Sequence, residues 1–332
     1  MDPAASSGPG RLTQRRWPGF ALKAGVSALL VWLLLRAIDL DQFALALSAA
    51  RLPHLGGAAL LLAAVMVLGA LRWRSIARQL GIGLPLATMI RLSFEGLFFS
   101  QALPSTVGGD AVRAWRAANL GLPVREAVHG VMLDRIVGTL GLVVLVALGL
   151  PMLADLGVAT AGIALLLIGA GAGIAALLGI IAMPPPLRRL RVVATVAAFS
   201  DSGWRIVRAP ATAGAVLGLS IGIHGLTVVA VAVLAAGLDL AIGLRDCFLV
   251  VPAALLLSAV PVSIAGWGVR EGAMVGGFAL LGLDEGAEAL ALSVLFGIVL
   301  IVTSLPGGLS WLLVGTPERP PEPADPPGDA TP

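Results

Sequence analysis

The sequence predicts an all-α membrane protein that crosses the bilayer several times. Hydrophobic residues make up 58% of the 332 residues and charged residues only 12%, whereas an ordinary globular domain carries about 25% charged residues. The mean hydropathy is +0.97, and apolar runs long enough to cross a bilayer recur along the chain. This composition excludes a soluble enzyme and a disordered chain. A nucleic-acid-binding protein is excluded as well, because the net charge is only +3 and the arginines are dispersed.

Six apolar runs have the length of a membrane span, which takes about 20 residues. We predict spans at 20–38, 55–71, 136–154, 158–183, 211–236 and 289–314. The first run follows several arginines, and we interpret it as a retained signal anchor rather than a cleaved signal peptide. Two further apolar stretches, at about 86–103 and 246–283, are interrupted by proline and glycine and contain charges.

The arginines predict the orientation, because cytoplasmic loops of membrane proteins are enriched in basic residues. Arginines cluster in the N-terminal tail (1–19), after the second span, and in the loop between residues 184 and 210, whereas acidic residues dominate the segments between these clusters. This alternation predicts a plasma-membrane protein with both termini in the cytoplasm. It holds only if 86–125 and 246–283 each return to the face that they enter from. We therefore predict two re-entrant hairpins, one from each face.

The two predicted hairpins share a sequence pattern at their tips. Residues 103–113 read LPSTVGGDAVR and residues 260–270 read VPVSIAGWGVR, so both contain P-x4-G-x2-V-R. Two spans precede and one follows each hairpin, which divides the domain at 20–314 into repeats at about 20–154 and 158–314. Because three crossings are an odd number, the second repeat is predicted to be inverted relative to the first, as in many transporters.

Each tip is predicted to interrupt a helix and begin another. Proline cannot continue a helix, and we expect Gly108, Gly109 and Gly266 to allow the reversal, with new helices starting near Gly109 and Gly268. A helix N-terminus carries free N–H groups and a positive dipole end that attract anions. Arg113 and Arg270 lie in the first turns of these helices. We therefore predict an anion site between the two tips.

Other polar residues within apolar segments are candidates for the same site, since charges at membrane depth are costly and usually functional. Each also has a structural interpretation. Glu95 is spaced to pair with Arg91, Asp134 and Arg135 can neutralise each other, and Asp110 can cap its helix. Ser105 can satisfy free backbone groups, and His224 is expected to make a packing hydrogen bond. The predicted substrate-binding residues are Arg113, Arg270, Glu95, Asp110, Glu271, Ser105, Gly108, Gly109, Gly266, Gly268, Asp134 and Arg135.

Three segments resemble a known family. FFSQALPSTVGGDAVRAWRAANLG (98–121), VMLDRIVGTLGLVVL (131–145) and PVSIAGWGVREGAMVGGFALLGL (261–283) are similar to the transmembrane region of lysylphosphatidylglycerol synthases, a broad family of flippase-like proteins. The resemblance extends over about 20–314 and implies movement of a lipid or a lipid-linked substrate. Asp134 stands where the family pattern leads us to expect glutamate. After the apolar region we expect only a disordered Pro-rich tail, at 315–332, and therefore no aminoacylation of lipid.

These observations together predict a protein that translocates a phospholipid or lipid-linked anionic substrate, and not an enzyme. We expect membrane lipid as its partner, with other envelope or lipid biosynthesis proteins as further partners and no nucleic acid. A transporter of a small soluble anion and an accessory membrane protein are the alternatives. No cofactor or metal is expected, since the single cysteine, Cys247, and three widely spaced histidines form no metal motif.

Overall fold

A computed structural model describes residues 50–103, 107–157, 191–259, 268–283 and 286–314. Within these ranges the protein is entirely α-helical and contains no strand. The helices are α1 (Leu52–Gln79), α2 (Leu86–Ala102), α3 (Gly108–Asn119), α4 (Val124–Asp155), α5 (Arg191–Val207), α6 (Pro210–Gly237), α7 (Leu244–Ser258), α8 (Val269–Leu280) and α9 (Gly286–Leu313).

Four of the described helices are long and apolar enough to cross a membrane, namely α1, α4, α6 and α9. They contain the predicted spans at 55–71, 136–154, 211–236 and 289–314. The predicted spans at 20–38 and 158–183 lie outside the described residues, as do both terminal tails. The protein is therefore a membrane protein with several apolar spans.

Helix α4 begins well before the predicted span. It starts at Val124 rather than at residue 136 and has 32 residues, which corresponds to about 48 Å at 1.5 Å per residue. The arginines near its start are polar enough to hide the helix from a search for apolar runs. As a consequence, Asp134 and Arg135 lie within α4 and not at its start.

Each of the two interrupted stretches forms a pair of short helices. In the first helix pair α2 packs on α3, and in the second helix pair α7 packs on α8. Helix α3 starts at Gly108 and α8 at Val269, which confirms the starts predicted near Gly109 and Gly268. The tips, with Ser105 and Gly266, lie outside the described residues.

The glycines of the first helix pair serve close packing. A Cβ atom at Gly109 would stand 2.0 Å from the Ser100 hydroxyl and 2.1 Å from the Gly96 carbonyl oxygen, and one at Gly108 would stand 2.6 Å from the Leu103 side chain. Both glycines lie within α3, so they do not form the reversal themselves. Gly268 is different, because its φ of +82° is a conformation that favours glycine.

The long helices enclose the main apolar core. Helix α1 packs along α6, α2 packs on α9, and α7 packs on α4. At the α2–α9 contact, a Cβ atom at Gly307 would stand 2.0 Å from the Phe94 carbonyl oxygen, so the two backbones touch directly. The first arm of each helix pair is thus held by a long helix from the other half of the chain.

Residues 191–207 of the predicted loop between residues 184 and 210 form a helix, α5. Phe199 and Ile206 are 7% and 4% exposed and pack against Ile76 of α1 and Leu133 of α4. Two of the arginines that led us to predict a loop, Arg191 and Arg205, lie within this helix.

Candidate functional site

A polar cavity of about 190 Å³ lies where α1, α2, α3, α4 and α6 meet. Its wall combines apolar side chains with two arginines and two carboxylates, although the helices around it are those of a membrane protein. The lining residues are Val65, Met66, Gly69, Arg72, Ser93, Gly96, Leu97, Ser100, Asp110, Arg113, Asp134 and Ile223.

Asp134 is the centre of the charge network in this cavity. Its side chain is only 3% exposed, and its two oxygens accept hydrogen bonds from different arginines. Arg72 of α1 donates through Nε at 2.8 Å, and Arg113 of α3 donates through Nη2 at 3.0 Å. A buried carboxylate needs such compensation because burying an unpaired charge is costly. Asp134 therefore ties α1 and α3 to α4.

Asp110 links the same network to the cavity mouth. It accepts hydrogen bonds from Arg113 Nη1 at 3.4 Å and from Arg135 Nη1 at 2.6 Å. The side chain of Arg135 is 37% exposed, whereas that of Arg113 is 13% exposed. Val107, the N-cap residue of α3, contributes no side-chain cap, and the alternative role of Asp110 as a helix cap stays a prediction.

The sequence led us to expect that Asp134 and Arg135 neutralise each other, and this expectation is wrong. Asp134 pairs with Arg72 and Arg113, whereas Arg135 pairs with Asp110. Adjacent residues on a helix do not face each other, so each of these side chains reaches a different partner.

Arg113 has hydrogen-bonding capacity left over. Its Nε atom is buried without a hydrogen-bond partner among the described residues, and its guanidinium carbon lies 4.3 Å from the centre of the Trp73 ring. Among the described residues of this network, three arginines, Arg72, Arg113 and Arg135, face two carboxylates, Asp110 and Asp134, which is one more cation than anions. An anion with several acceptor oxygens fits this surplus, since arginine forks bind phosphate and carboxylate well.

The Arg72 side chain is held from the α6 side of the cavity. Its Nη1 donates to the Ser220 hydroxyl at 3.1 Å. Close packing of α4 on α6 makes this possible, because Gly138 and Gly141 leave room for Arg72 and Ser220. His224 donates from Nε2 to the Gly138 carbonyl oxygen at 2.9 Å, which is the packing hydrogen bond predicted for it.

Glu95 lies behind the cavity rather than in it. Its side chain is 0% exposed, and it accepts two hydrogen bonds of 2.8 Å from Nε and Nη2 of Arg116. Ser310 of α9 donates to the same carboxylate at 3.1 Å, whereas Arg91 is 4.0 Å away. The main partner of Glu95 is thus Arg116 and not Arg91. This cluster fastens α2, α3 and α9 together.

Arg270 does not line the polar cavity. Its Nη2 donates to Glu271 at 2.6 Å and its Nε donates to Ser293 at 3.2 Å, and the residue is 4% exposed. Glu271 also accepts a hydrogen bond from the Gly268 N–H, which caps α8. Among the described residues Arg270 does not line the cavity that Arg113 lines, and its ion pair with Glu271 lies within its own half of the chain.

Several residues of the site were not predicted from the sequence. Arg72 was assigned to a cytoplasmic loop because the apolar run ends at residue 71, yet α1 continues to Gln79. Trp73, Ser220 and Arg116 carry no local pattern that connects them with Arg113 or Glu95. Their partners are distant in sequence, so only the packing of α1, α3 and α6 reveals them.

The chain was compared with known proteins. No protein of curated function matches it. The family model described as "Lysylphosphatidylglycerol synthase TM region" matches residues 20–307, a range that contains every described residue of the polar cavity. The match covers the core of the chain, and the chain therefore belongs to the family of the lysylphosphatidylglycerol synthase transmembrane region.

Proposed function

We propose that this protein translocates a phospholipid or a lipid-linked anionic substrate across the plasma membrane, with the headgroup in the polar cavity. The observation that carries the proposal is Arg113, whose buried Nε has no hydrogen-bond partner among the described residues and whose side chain lines the cavity beside Arg72. A cation surplus among apolar helices favours a substrate that brings its own negative charge.

A phosphate group would complete the arginine network. It would accept a hydrogen bond from Arg113 Nε. It would also replace Asp110 and Asp134 as the acceptor of some hydrogen bonds from the other N–H groups of Arg113 and Arg72. The acyl chains would stay in the bilayer, and apolar side chains such as Met66 and Leu97 in the cavity wall are compatible with a lipid substrate. Ser220 and the Trp73 ring would keep Arg72 and Arg113 in position while these hydrogen bonds are exchanged.

The proposed architecture is an inverted repeat of two units, each with three spans and one re-entrant hairpin, and with both termini in the cytoplasm. The order of the described helices supports it. Helices α1 to α4 have 28, 17, 12 and 32 residues, and α6 to α9 have 28, 15, 12 and 28. The packing of α2 on α9 is mirrored by that of α7 on α4. Rocking of one unit against the other would expose the cavity to each face in turn.

The proposal assigns transport, and not covalent chemistry, to the site. Arg113 and Arg72 bind and orient charge, and Asp110 and Asp134 hold those arginines. Lipid recovered after incubation with the protein should be chemically unchanged. A modified lipid would overturn this part of the proposal.

Reconstitution into vesicles tests the proposal directly. Vesicles that contain the purified protein and a fluorescent phospholipid are assayed for the rate at which the label becomes accessible on the opposite leaflet. Arg113→Gln and Arg72→Gln should each lower the rate at least about tenfold, the effect of roughly 1.4 kcal/mol. Arg51→Gln is the matched control, because Arg51 is 57% exposed in its pair with Asp239 and lies outside the cavity.

Two outcomes decide against the proposal. Wild-type rates in both Arg113→Gln and Arg72→Gln would remove the polar cavity from the transport path. Uptake of soluble glycerol phosphate without movement of lipid would show that the cavity carries a small anion instead. Under our proposal, glycerol phosphate at most competes with the lipid and is not itself transported.

A further inference from the structure

A second and quite different depression lies between α4, α6 and α7. It has a volume of about 420 Å³, and apart from Arg245 its lining is apolar, with Met152 of α4, Gly225 and Val229 of α6 and Phe248 of α7. None of its lining residues belongs to the polar cavity. We call it the lateral groove.

The lateral groove extends from the end of a span into the apolar part of the membrane. Helix α6 ends at Gly237, and Gly225 lies about 18 Å before that end at 1.5 Å per residue. Half of a bilayer's hydrocarbon core is about 15 Å thick. The groove therefore reaches from headgroup level to roughly the depth at which an acyl chain ends.

Arg245 provides a positive charge at the shallow end of the groove. It is exposed in the first turn of α7 and makes no hydrogen bond or ion pair with any residue that the structure describes. The neighbouring carboxylate of Asp246 accepts a hydrogen bond from the Gly243 N–H at 2.9 Å, which commits it to capping the helix. The positive end of the α7 dipole adds to the charge of Arg245.

We propose that the lateral groove binds one anionic phospholipid, with an acyl chain between α4 and α6 and the phosphate on Arg245. An apolar cavity of about 150 Å³ holds benzene, so a groove almost three times as large accommodates a long stretch of hydrocarbon chain. Charge complementarity selects the headgroup. In the orientation proposed above, this lipid belongs to the outer leaflet and is distinct from the transported substrate.

Retention of lipid by the purified protein tests this site. The protein is extracted from vesicles that contain phosphatidylglycerol or phosphatidylcholine, and native mass spectrometry counts the lipids that remain bound as detergent is exchanged. Arg245→Gln should weaken retention of one phosphatidylglycerol about fivefold, the contribution of a single basic residue near a lipid surface. It should leave retention of phosphatidylcholine nearly unchanged, and Arg245→Lys should restore most of the phosphatidylglycerol binding.

A second variant tests the apolar part of the groove. A Cβ atom at Gly225 meets nothing within 4 Å, and Gly225 lines the groove, so we expect the side chain of Gly225→Leu to occupy the groove. It should reduce retention of both lipids several-fold. Gly214→Leu is the matched control, because Gly214 also faces open space on α6 but does not line the groove.

The outcomes are distinguishable from failure of the proposed transport. Loss of retention in Arg245→Gln and Gly225→Leu, with retention intact in Gly214→Leu, supports the site whether or not the polar cavity carries lipid. Wild-type retention of phosphatidylglycerol in both Arg245→Gln and Gly225→Leu overturns it. Binding of inorganic phosphate in place of lipid at the same residue also overturns it.

Discussion

The two helix pairs carry the same sequence pattern, yet their arginines lie in opposite surroundings. Arg113 of the first pair lines a polar cavity and shares two carboxylates with arginines from other helices. Arg270 of the second pair is 4% exposed and is neutralised by the adjacent Glu271 and by Ser293 of α9. Among the described residues, Arg113 keeps a buried Nε without a hydrogen-bond partner, whereas Nε and Nη2 of Arg270 both donate hydrogen bonds.

The difference arises from the residues around the shared pattern. In the second pair, Glu271 at the third helical position accepts a hydrogen bond from the N–H of Gly268, the N-cap residue, and another from Arg270. In the first pair, Asp110 at the third helical position accepts hydrogen bonds from Arg113 and Arg135. The carboxylate of the second pair thus serves its own helix end and the adjacent arginine, whereas that of the first pair joins a network of three helices.

The contacts that hold the two helices of each pair together differ as well. Glu95 and Arg116 lock the first pair, whereas the gap-free alignment places Pro252 and Ala273 at the corresponding positions of the second. The first pair holds its arms together with buried charge, and the second does so with apolar contacts such as that between Gly277 and Val250. The same short sequence pattern thus has a buried ion pair behind it in one copy and apolar contacts in the other.

The largest expected effect comes from breaking the charge lock of the first pair. Arg116→Ala should lower the free energy of unfolding by about 3–5 kcal/mol, because it leaves Glu95, 0% exposed, without its main partner. Arg51→Ala, in an exposed pair with Asp239, should cost less than about 1 kcal/mol. Reversible unfolding in mixed micelles measures both variants.

The double variant Glu95→Leu with Arg116→Leu sharpens this test. Replacing a buried ion pair by apolar side chains is often neutral or stabilising, so the double variant should recover most of the stability that Arg116→Ala loses. Equal losses in Arg116→Ala and Arg51→Ala would show that the first pair does not depend on its buried charges.

The next prediction concerns Arg270, which we expect to affect the stability of the protein, whereas Arg113 is expected to affect lipid movement. Arg270→Gln should lower the free energy of unfolding by about 2–3 kcal/mol, since it removes a charged hydrogen bond to Glu271. Glu271 keeps the hydrogen bond from the Gly268 N–H, which limits the loss. Lipid movement per folded molecule should stay at the wild-type rate, in contrast to Arg113→Gln. An Arg270→Gln protein that is fully stable but inactive would make the two arginines functionally equivalent.

The sequence was sufficient to predict the helices that matter most for the site. Apolar runs of span length define α1, α4, α6 and α9 because a bilayer demands them, and glycine with proline defines where α3 and α8 begin. These are local or one-dimensional signals.

The pairing of charges could not be predicted in the same way. Arg72 and Asp134 are 62 residues apart in sequence, and nothing near either residue identifies the other. The packing of α1 against α4 brings them together, and it depends on Gly138, beside which the guanidinium of Arg72 lies. Adjacency in sequence did not predict the ion pairs, because neighbours such as Asp134 and Arg135 project from different sides of one helix.

A smaller effect tests how closely the arms of each pair approach. Gly109→Ala should destabilise the protein by about 1–3 kcal/mol, because its Cβ would overlap the Gly96 carbonyl oxygen. Gly272→Ala in α8, where a Cβ meets nothing within 4 Å, should be neutral or stabilising by up to about 1 kcal/mol. Unfolding of both variants under one condition measures the contrast. Equal effects would mean that the two pairs are packed alike.

The smallest effect concerns the hydroxyl groups that support each arginine. Ser220→Ala removes the 3.1 Å hydrogen bond to Arg72, and Ser293→Ala removes the 3.2 Å hydrogen bond to Arg270. Each should cost about 1 kcal/mol of unfolding free energy, the net value of one such bond. Only Ser220→Ala should also slow lipid movement in vesicles, since Arg72 lines the polar cavity and Arg270 does not. If Ser293→Ala slowed lipid movement as much, the second helix pair would take part in the transport path, and the contrast between the two pairs would be one of stability alone.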